Sequence, residues 1–136
     1  MTNKSRPTSP HLQIYRWNIS SITSIMHRAT GVALFLSVIA ICWYMVYFAY
    51  EVDSAKSMET CDCPINAIIK NLFSLVAIGV AFALYYHLCN GIRHLFWDLG
   101  KGFELKTAKK NGYLVLLISL LLTVASVVTV TYLKFF

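Results

Sequence analysis

The sequence is short of charged side chains, and the ones it has avoid three long stretches. Only 13% of its 136 residues are charged, whereas a soluble domain averages roughly a quarter. The deficit argues against a soluble globular protein. Residues 29–50, 71–92 and 111–133 carry no Asp, Glu, Lys or Arg, and about 20 apolar residues are enough for a helix to cross a bilayer. We predict an all-α membrane protein with three transmembrane helices.

Signals for other classes of protein are also missing. The first 28 residues lack the short apolar core of a secretory signal peptide, so we expect no cleaved signal. The four cysteines follow no metal-site spacing. Cys42 and Cys89 fall inside spans, where we expect them to pack as small apolar residues. Cys61 and Cys63 lie between spans, either as unpaired thiols or in a disulfide.

The net charge of +6 is distributed as a topology signal. Basic residues without acids precede or open the first span, and five more lie between the second and third spans against two acids. The loop between the first and second spans carries four acids and two lysines. By the positive-inside rule, the N-terminus and the second loop lie on the cytoplasmic or matrix side. This pattern indicates a membrane lipid environment and no nucleic-acid partner.

The anchor is expected to occupy most of the chain. We predict a separate N-terminal segment at 1–20, because Pro7 and Pro10 oppose helix while the residues after them are aromatic and apolar. The remainder, 21–136, would form the three-helix anchor. Its spans are expected at about 22–50, 67–98 and 111–134.

The ends of the predicted helices carry recognisable signals. Ser20, Ser21 or Thr23 can cap the first helix at its N-terminus. Gly100, with a second glycine two residues later, can end the second helix, because glycine suits the left-handed conformation common there. The basic stretch 101–111 is then expected to be a loop.

His87 is the most informative residue, because it lies within the second span. A titratable side chain in hydrocarbon usually faces the bundle interior and marks a functional site, and neutral imidazole is a common haem ligand. His94 shares its helix face roughly 10 Å away, so the pair cannot bind one iron from opposite sides. We predict half of a haem site, with a partner membrane subunit supplying the other ligand.

The arginines near the same region have two interpretations. Arg28, and Arg93 with His94, lie about where propionates would emerge from a haem held by His87, and guanidinium suits carboxylates. Alternatively, both arginines are positive-inside charges that extend to the interface, and His87 only bonds to a neighbouring helix. Two glycines would allow a macrocycle or a helix to approach closely: Gly31 and Gly91.

A second candidate site lies at the start of the first span. The residues that share one helix face there are Ser24, His27, Arg28 and Gly31. A hydroxyl and a guanidinium one turn apart can hold a quinone carbonyl and stabilise charge as it is reduced. Trp17 and Leu12 would supply apolar walls. A serine and an arginine at this spacing occur in many helices, so the spacing alone is weak evidence for a quinone site.

Three motifs occur in order: RPTSPHLQIY from Arg6, SIMHRATG from Ser24 and HxxNGIRHLxWD from His87. Together they resemble the cytochrome b556 subunits of succinate dehydrogenase, the larger membrane anchor of respiratory complex II. The match runs from residue 6 to about 100, and the third span fits the family's three-helix plan. Three motifs in register are far more specific than any one of them.

The resemblance implies a helical bundle formed with a smaller anchor subunit around a shared haem b. It implies that His87 is one axial ligand, that the smaller subunit supplies the other histidine, and that the propionates lie near His27, Arg28 and His94. The ubiquinone-binding residues it implies are Ser24, Arg28, Trp17, Leu12 and Ile25. The implied location is a bacterial or mitochondrial inner membrane.

The resemblance also implies soluble partners, because this sequence has no flavin, iron–sulfur or dicarboxylate motif. A flavoprotein subunit and an iron–sulfur subunit would oxidise succinate and pass electrons to ubiquinone, so this part of a succinate:ubiquinone oxidoreductase would catalyse nothing alone. A fumarate reductase anchor is the nearest alternative. An alternative from another class is a small structural or transport-associated protein in which His87 only packs helices.

Overall fold

The computed structural model describes residues 16–51 and 64–135, which form three helices. They are α1 (Ile19–Glu51), α2 (Pro64–Asp98) and α3 (Leu105–Phe135). Their 33, 35 and 31 residues correspond to roughly 47–53 Å at the rise of an α-helix, which exceeds the hydrocarbon thickness of a bilayer. Each helix is long and apolar enough to cross a membrane. The prediction of an all-α protein with three spans is confirmed.

Some predicted features fall outside the described residues. Leu12, Cys61 and Cys63 lie there, as does most of the N-terminal segment at 1–20. The division of the chain into that segment and an anchor at 21–136 therefore stays a prediction.

α1 begins before the residues predicted to cap it. The carbonyl of Asn18 accepts the amides of Ser21 and Ile22 at 3.0 and 3.1 Å, and asparagine is a favourable residue at a helix N-terminus. Thr23 lies inside the helix, where its hydroxyl donates to the carbonyl of Ser20 at 3.1 Å. The predicted caps are therefore wrong, because Asn18 already occupies the N-terminal position of the helix.

α2 ends at the predicted glycine. The amide of Lys101 donates to the carbonyl of Phe96 at 3.0 Å, and that of Gly100 to Trp97 at 2.8 Å, the paired bonds of a Schellman ending. Gly100 and Gly102 have φ angles of 75° and 83°, which glycine adopts without strain. The indole of Trp97 also donates to the carbonyl of Gly102 at 3.3 Å. These bonds define the turn that leads to α3.

α3 starts at Leu105, so the predicted loop over 101–111 is wrong for its second half. The amide of Ala108 donates to the carbonyl of Glu104 at 2.8 Å, which closes the first turn. Basic side chains oppose the helix dipole at an N-terminus, and that argued for a loop. Leucine, lysine and alanine are nevertheless good helix formers, and α3 extends past the apolar stretch in the same way as α1.

The helices pack closely at one end of the bundle only. α2 contacts both α1 and α3. The buried side chains are Thr23, Ala83, Tyr86, Asn90, Arg93, Ala108, Val115, Ser119 and Thr123. In contrast, residues 38–50 and 65–79 are exposed throughout, and we call these two segments the open end. Buried polar groups and an apolar exterior suit a protein surrounded by lipid.

Candidate functional site

Thr23 is the point where α1 meets α2. Its carbonyl accepts the hydroxyl of Tyr86 at 3.0 Å and the side-chain amide of Asn90 at 3.3 Å. Its hydroxyl accepts NH1 of Arg93 at 2.8 Å. The three α2 residues are spaced i, i+4, i+7 and therefore face the same way. We call Thr23, Tyr86, Asn90 and Arg93 the polar junction.

Arg93 connects the polar junction to α3. Its NH1 also donates to the side-chain oxygen of Asn90 at 3.3 Å, and its NH2 donates to the carbonyl of Ala108 at 3.0 Å. The guanidinium carbon lies 4.2 Å from the ring centre of Trp97, a cation–π contact. Within the part of the chain that the structure describes, no carboxylate pairs with this cation. The side chain thus joins three helices.

This position of Arg93 differs from both sequence interpretations. The side chain is only 5% exposed, so it does not extend to the membrane interface. Its NH1 and NH2 bond within the chain, whereas its buried Nε has no hydrogen-bond partner among the described residues. A buried arginine in a membrane helix is tolerated when carbonyls and hydroxyls accept its protons, and this arrangement provides such acceptors for NH1 and NH2.

The histidines of both predicted motifs come together between α1 and α2. The ring of His27 stacks on that of His87, with centres 4.0 Å apart and planes 10° apart. His27 also lies 5.1 Å from His94, which makes an edge contact with Trp97 at 5.1 Å. We call His27, His87 and His94 the histidine cluster. His27, which contacts both of the other rings, belongs to α1, whereas His87 and His94 share one face of α2.

The ring of His87 is held by the backbone of α1. Its Nδ1 lies 3.2 Å from the carbonyl oxygen of His27 and 3.4 Å from Oγ1 of Thr30. Because a carbonyl oxygen can only accept, Nδ1 carries the proton and Nε2 keeps a free lone pair. Metal-bound histidines are commonly held in this way, with the second ring nitrogen donating to a backbone carbonyl. The arrangement prepares Nε2 of His87 to bind a metal.

Gly31 makes room for this ring. A Cβ at Gly31 would lie 3.0 Å from Cε1 of His87 and 3.6 Å from its Nδ1, closer than two carbon atoms normally approach. The predicted close approach at Gly31 is confirmed. At Gly91 an added Cβ would lie 3.8 Å from His27, an ordinary contact, so the packing within this chain does not require glycine there.

The histidine cluster fits a haem. Nδ1 of His27 is buried and has no hydrogen-bond partner among the described residues, a costly state that a polar group from outside the chain would relieve. The described residues contain no group of three or more His, Cys, Asp or Glu that could hold a metal ion. A metal held by Nε2 of His87 would therefore need further ligands from outside the described residues.

The predicted quinone residues lie beside this cluster, near the start of α1. Ser24 is half-buried and Arg28 is exposed, and the two are one helical turn apart on a shared face. Trp17 and Ile25 are 67% and 51% exposed. Leu12 lies outside the described residues. The described members are accessible from the outer surface of α1, where a ligand or a partner subunit can reach them.

Sequence reasoning missed the polar junction. It predicted no contact between helices for Tyr86 or Asn90, yet both are fully buried and hydrogen-bonded to α1. The sequence does contain a pattern that indicates this contact. Tyr86, Asn90, Arg93 and Trp97 recur at helical spacing and so share one face of α2, and a membrane span must bury its polar groups. A further polar contact joins α2 to α3, where the hydroxyl of Ser126 lies 2.6 Å from that of Tyr85.

Comparison with known proteins assigns the chain to a family. Residues 2–126 match the family described as succinate dehydrogenase/fumarate reductase transmembrane subunit. The chain belongs to this family. The membrane-anchor assignment drawn from the three motifs is thereby confirmed.

Individual relatives agree with the family. The succinate dehydrogenase cytochrome b556 subunit of Rickettsia felis is 46% identical over 118 residues, which cover 87% of each chain. The subunit of the same name from Paracoccus denitrificans is 37% identical over 124 residues, or 91% of each chain. The mitochondrial cytochrome b560 subunit of Sus scrofa is 36% identical over 120 residues, which cover 88% of this chain and 69% of the pig protein.

Proposed function

We propose that this chain anchors succinate dehydrogenase to the membrane and binds haem b through Nε2 of His87. The observation that carries the proposal is the 3.2 Å contact between Nδ1 of His87 and the carbonyl of His27, which leaves Nε2 free for iron. The names of the relatives, cytochrome b556 and b560 subunits, support it. A bound haem supplies one-electron redox chemistry; the chain supplies an axial ligand and orients it.

The rest of the haem site is divided between this chain and a smaller anchor subunit. His27, His94 and Arg28 would hold the propionates through charge-assisted hydrogen bonds. His27 is stacked against the ring of His87, and His94 shares its helix face, so neither can bind the opposite side of the iron. A second histidine ligand would be supplied by the smaller subunit.

We further propose that Ser24 and Arg28 contact ubiquinone, with Trp17, Ile25 and Leu12 as apolar neighbours. A hydroxyl and a guanidinium stabilise the negative charge that develops on a quinone carbonyl during reduction. An iron–sulfur subunit would dock at this end and deliver electrons from a flavoprotein subunit. The relatives quoted are all succinate dehydrogenase subunits, which favours succinate oxidation over fumarate reduction.

The charge distribution supports one orientation for this arrangement. The quinone residues are near the N-terminus of α1, and the basic residues of the α2–α3 turn lie at the same end of the bundle. Positive charge favours the cytoplasmic or matrix side. The quinone site and the soluble subunits are therefore proposed on that side of a bacterial or mitochondrial inner membrane.

The haem assignment is tested by replacing the ligand in the assembled complex. We expect His87→Ala to remove or shift the b-type α-band in a dithionite-reduced minus oxidised spectrum, because no other described residue replaces Nε2. Leu88→Ala is the matched control. Leu88 is next to His87 in the chain and is 56% exposed, so its replacement tests only whether a change at this point of α2 disturbs assembly. An unchanged band in His87→Ala would place the ligand on other chains and favour the packing role.

The quinone assignment is tested by separating two activities. We expect Arg28→Ala, and more weakly Ser24→Ala, to lower ubiquinone reduction by on the order of tenfold or more. Succinate oxidation with an artificial soluble dye should stay near wild type, because the flavin site is on another subunit. An equal loss of both activities would indicate failed docking and contradict the quinone role.

A further inference from the structure

We propose that Thr30 and Gly31 are positioning residues for His87, which set the protonated nitrogen, the plane and the electron density of its ring. This inference rests on the proposed haem function. It assigns a role to a hydroxyl and a glycine on α1, the helix that supplies no iron ligand.

The hydroxyl of Thr30 can act towards His87 only as an acceptor. Its single proton is directed at the carbonyls of its own helix, Met26 and His27, both at 2.9 Å. The same oxygen lies 3.4 Å from Nδ1 of His87. The N–H of His87 therefore has two acceptors, this oxygen and the carbonyl of His27 at 3.2 Å. Both acceptors belong to one turn of α1.

Two acceptors decide which edge of the ring faces α1. If the ring turned over, a carbon-bound hydrogen would replace the N–H, and both oxygens would lose their donor. The flat contact with His27 restricts tilting of the ring, and the Cε1 edge is fitted against Gly31. The ring is thus restricted on an edge and on a face, and Nε2 is presented in one orientation.

The acceptors also act on the electronic properties of the ligand. An imidazole that donates its N–H to an acceptor becomes a more basic metal ligand. A more basic axial ligand favours ferric over ferrous iron and lowers the midpoint potential of the haem. Removing one of two acceptors should therefore raise that potential, and restoring a hydroxyl should bring it back.

The test uses Thr30→Val and Thr30→Ser in the purified, assembled complex. Valine keeps the shape and removes the acceptor, whereas serine keeps the hydroxyl. We expect the haem midpoint potential, measured by redox titration of the α-band, to rise in Thr30→Val and to stay at the wild-type value in Thr30→Ser. A role in helix packing alone would not distinguish the two variants by potential. An unchanged or lowered potential in Thr30→Val overturns the role of Thr30.

Gly31→Ala tests the ring position independently, with Gly79→Ala as its matched control. The new methyl meets His87 at 3.0 Å in the first variant, whereas Gly79 has no other side chain within 4 Å. We expect an altered α-band and low-spin electron paramagnetic resonance signal in Gly31→Ala only. Identical spectra for the two variants overturn the role of Gly31.

His87→Ala, measured beside these variants, separates failure of this inference from failure of the haem assignment. If His87→Ala leaves the spectrum intact, the haem function itself is wrong. If it removes the band while the Thr30 and Gly31 variants keep wild-type potential and spectra, the haem function stands and the positioning role is wrong.

Discussion

The two ends of the bundle present different kinds of surface. At the polar junction, side chains of α1 and α2 and a carbonyl of α3 are joined by hydrogen bonds, and Tyr86 and Asn90 are fully buried. At the open end, residues 38–50 and 65–79 are exposed throughout and mostly apolar, although Asn66, Lys70, Asn71 and Ser74 interrupt the second segment. In lipid, burying apolar surface provides little driving force between helices, so close packing and polar contacts decide where they associate.

The comparison shows why the candidate site lies where it does. On α1, His27 and Thr30 follow Thr23 by one and two helical turns. The bonds from Tyr86, Asn90 and Arg93 to Thr23 therefore fix the rotation of α1 against α2 and bring His27 onto His87. The side chains of the open end are exposed, so its surface is available to lipid or to another subunit.

Breaking the polar junction should have the largest effect on stability. Arg93→Leu removes three hydrogen bonds to Thr23, Asn90 and Ala108 together with the contact to Trp97. We expect a loss of about 2–4 kcal/mol. It should appear as a lower thermal midpoint of the purified complex and as weaker haem retention.

Lys109→Leu is the matched control for the loss of a positive charge in Arg93→Leu, because Lys109 is exposed at the same end. Its thermal midpoint should stay close to wild type. If both variants lose the same stability, the effect comes from net charge and the junction does not hold the helices together.

A smaller effect should follow from removing one hydroxyl. Tyr86→Phe deletes the 3.0 Å bond to the carbonyl of Thr23, which should cost about 0.5–1.5 kcal/mol in a membrane bundle. Tyr44→Phe makes the same chemical change at the open end, where Tyr44 is 62% exposed, and should leave the thermal midpoint unchanged. An equal loss in Tyr44→Phe would show that another subunit packs on the open end.

Much of the fold follows from the sequence because length and charge are local properties. Three uncharged stretches of membrane length require three helices, since backbone groups in lipid must bond within their own segment. The glycine ending of α2 was predictable for the same reason, since a Schellman turn involves neighbouring residues only. The start of α3 was wrong because hydropathy marks the membrane-crossing part of a helix and not its full length. The cap of α1 was wrong because several residues that can cap a helix follow one another there, from Asn18 to Thr23.

The candidate site was predictable only in part. His87 is conspicuous as a titratable group in an apolar stretch, and helical spacing places His94 on its face. Helical spacing does not predict that His27 contacts both His87 and His94, or that Arg93 bonds to α1 and α3, because these contacts depend on how the helices pack against each other. Arg93 and Thr23 are 70 positions apart in the chain.

The sequence by itself determined that this is a three-span membrane anchor with a titratable histidine inside an apolar span, and its motifs determined the family. Tertiary structure alone decided which nitrogen of His87 is free, that His27 stacks on it, and that Arg93 is buried among three helices. The helical period fixes the direction of a side chain relative to its own axis. The rotation of one helix against another depends on polar contacts between residues far apart in the chain.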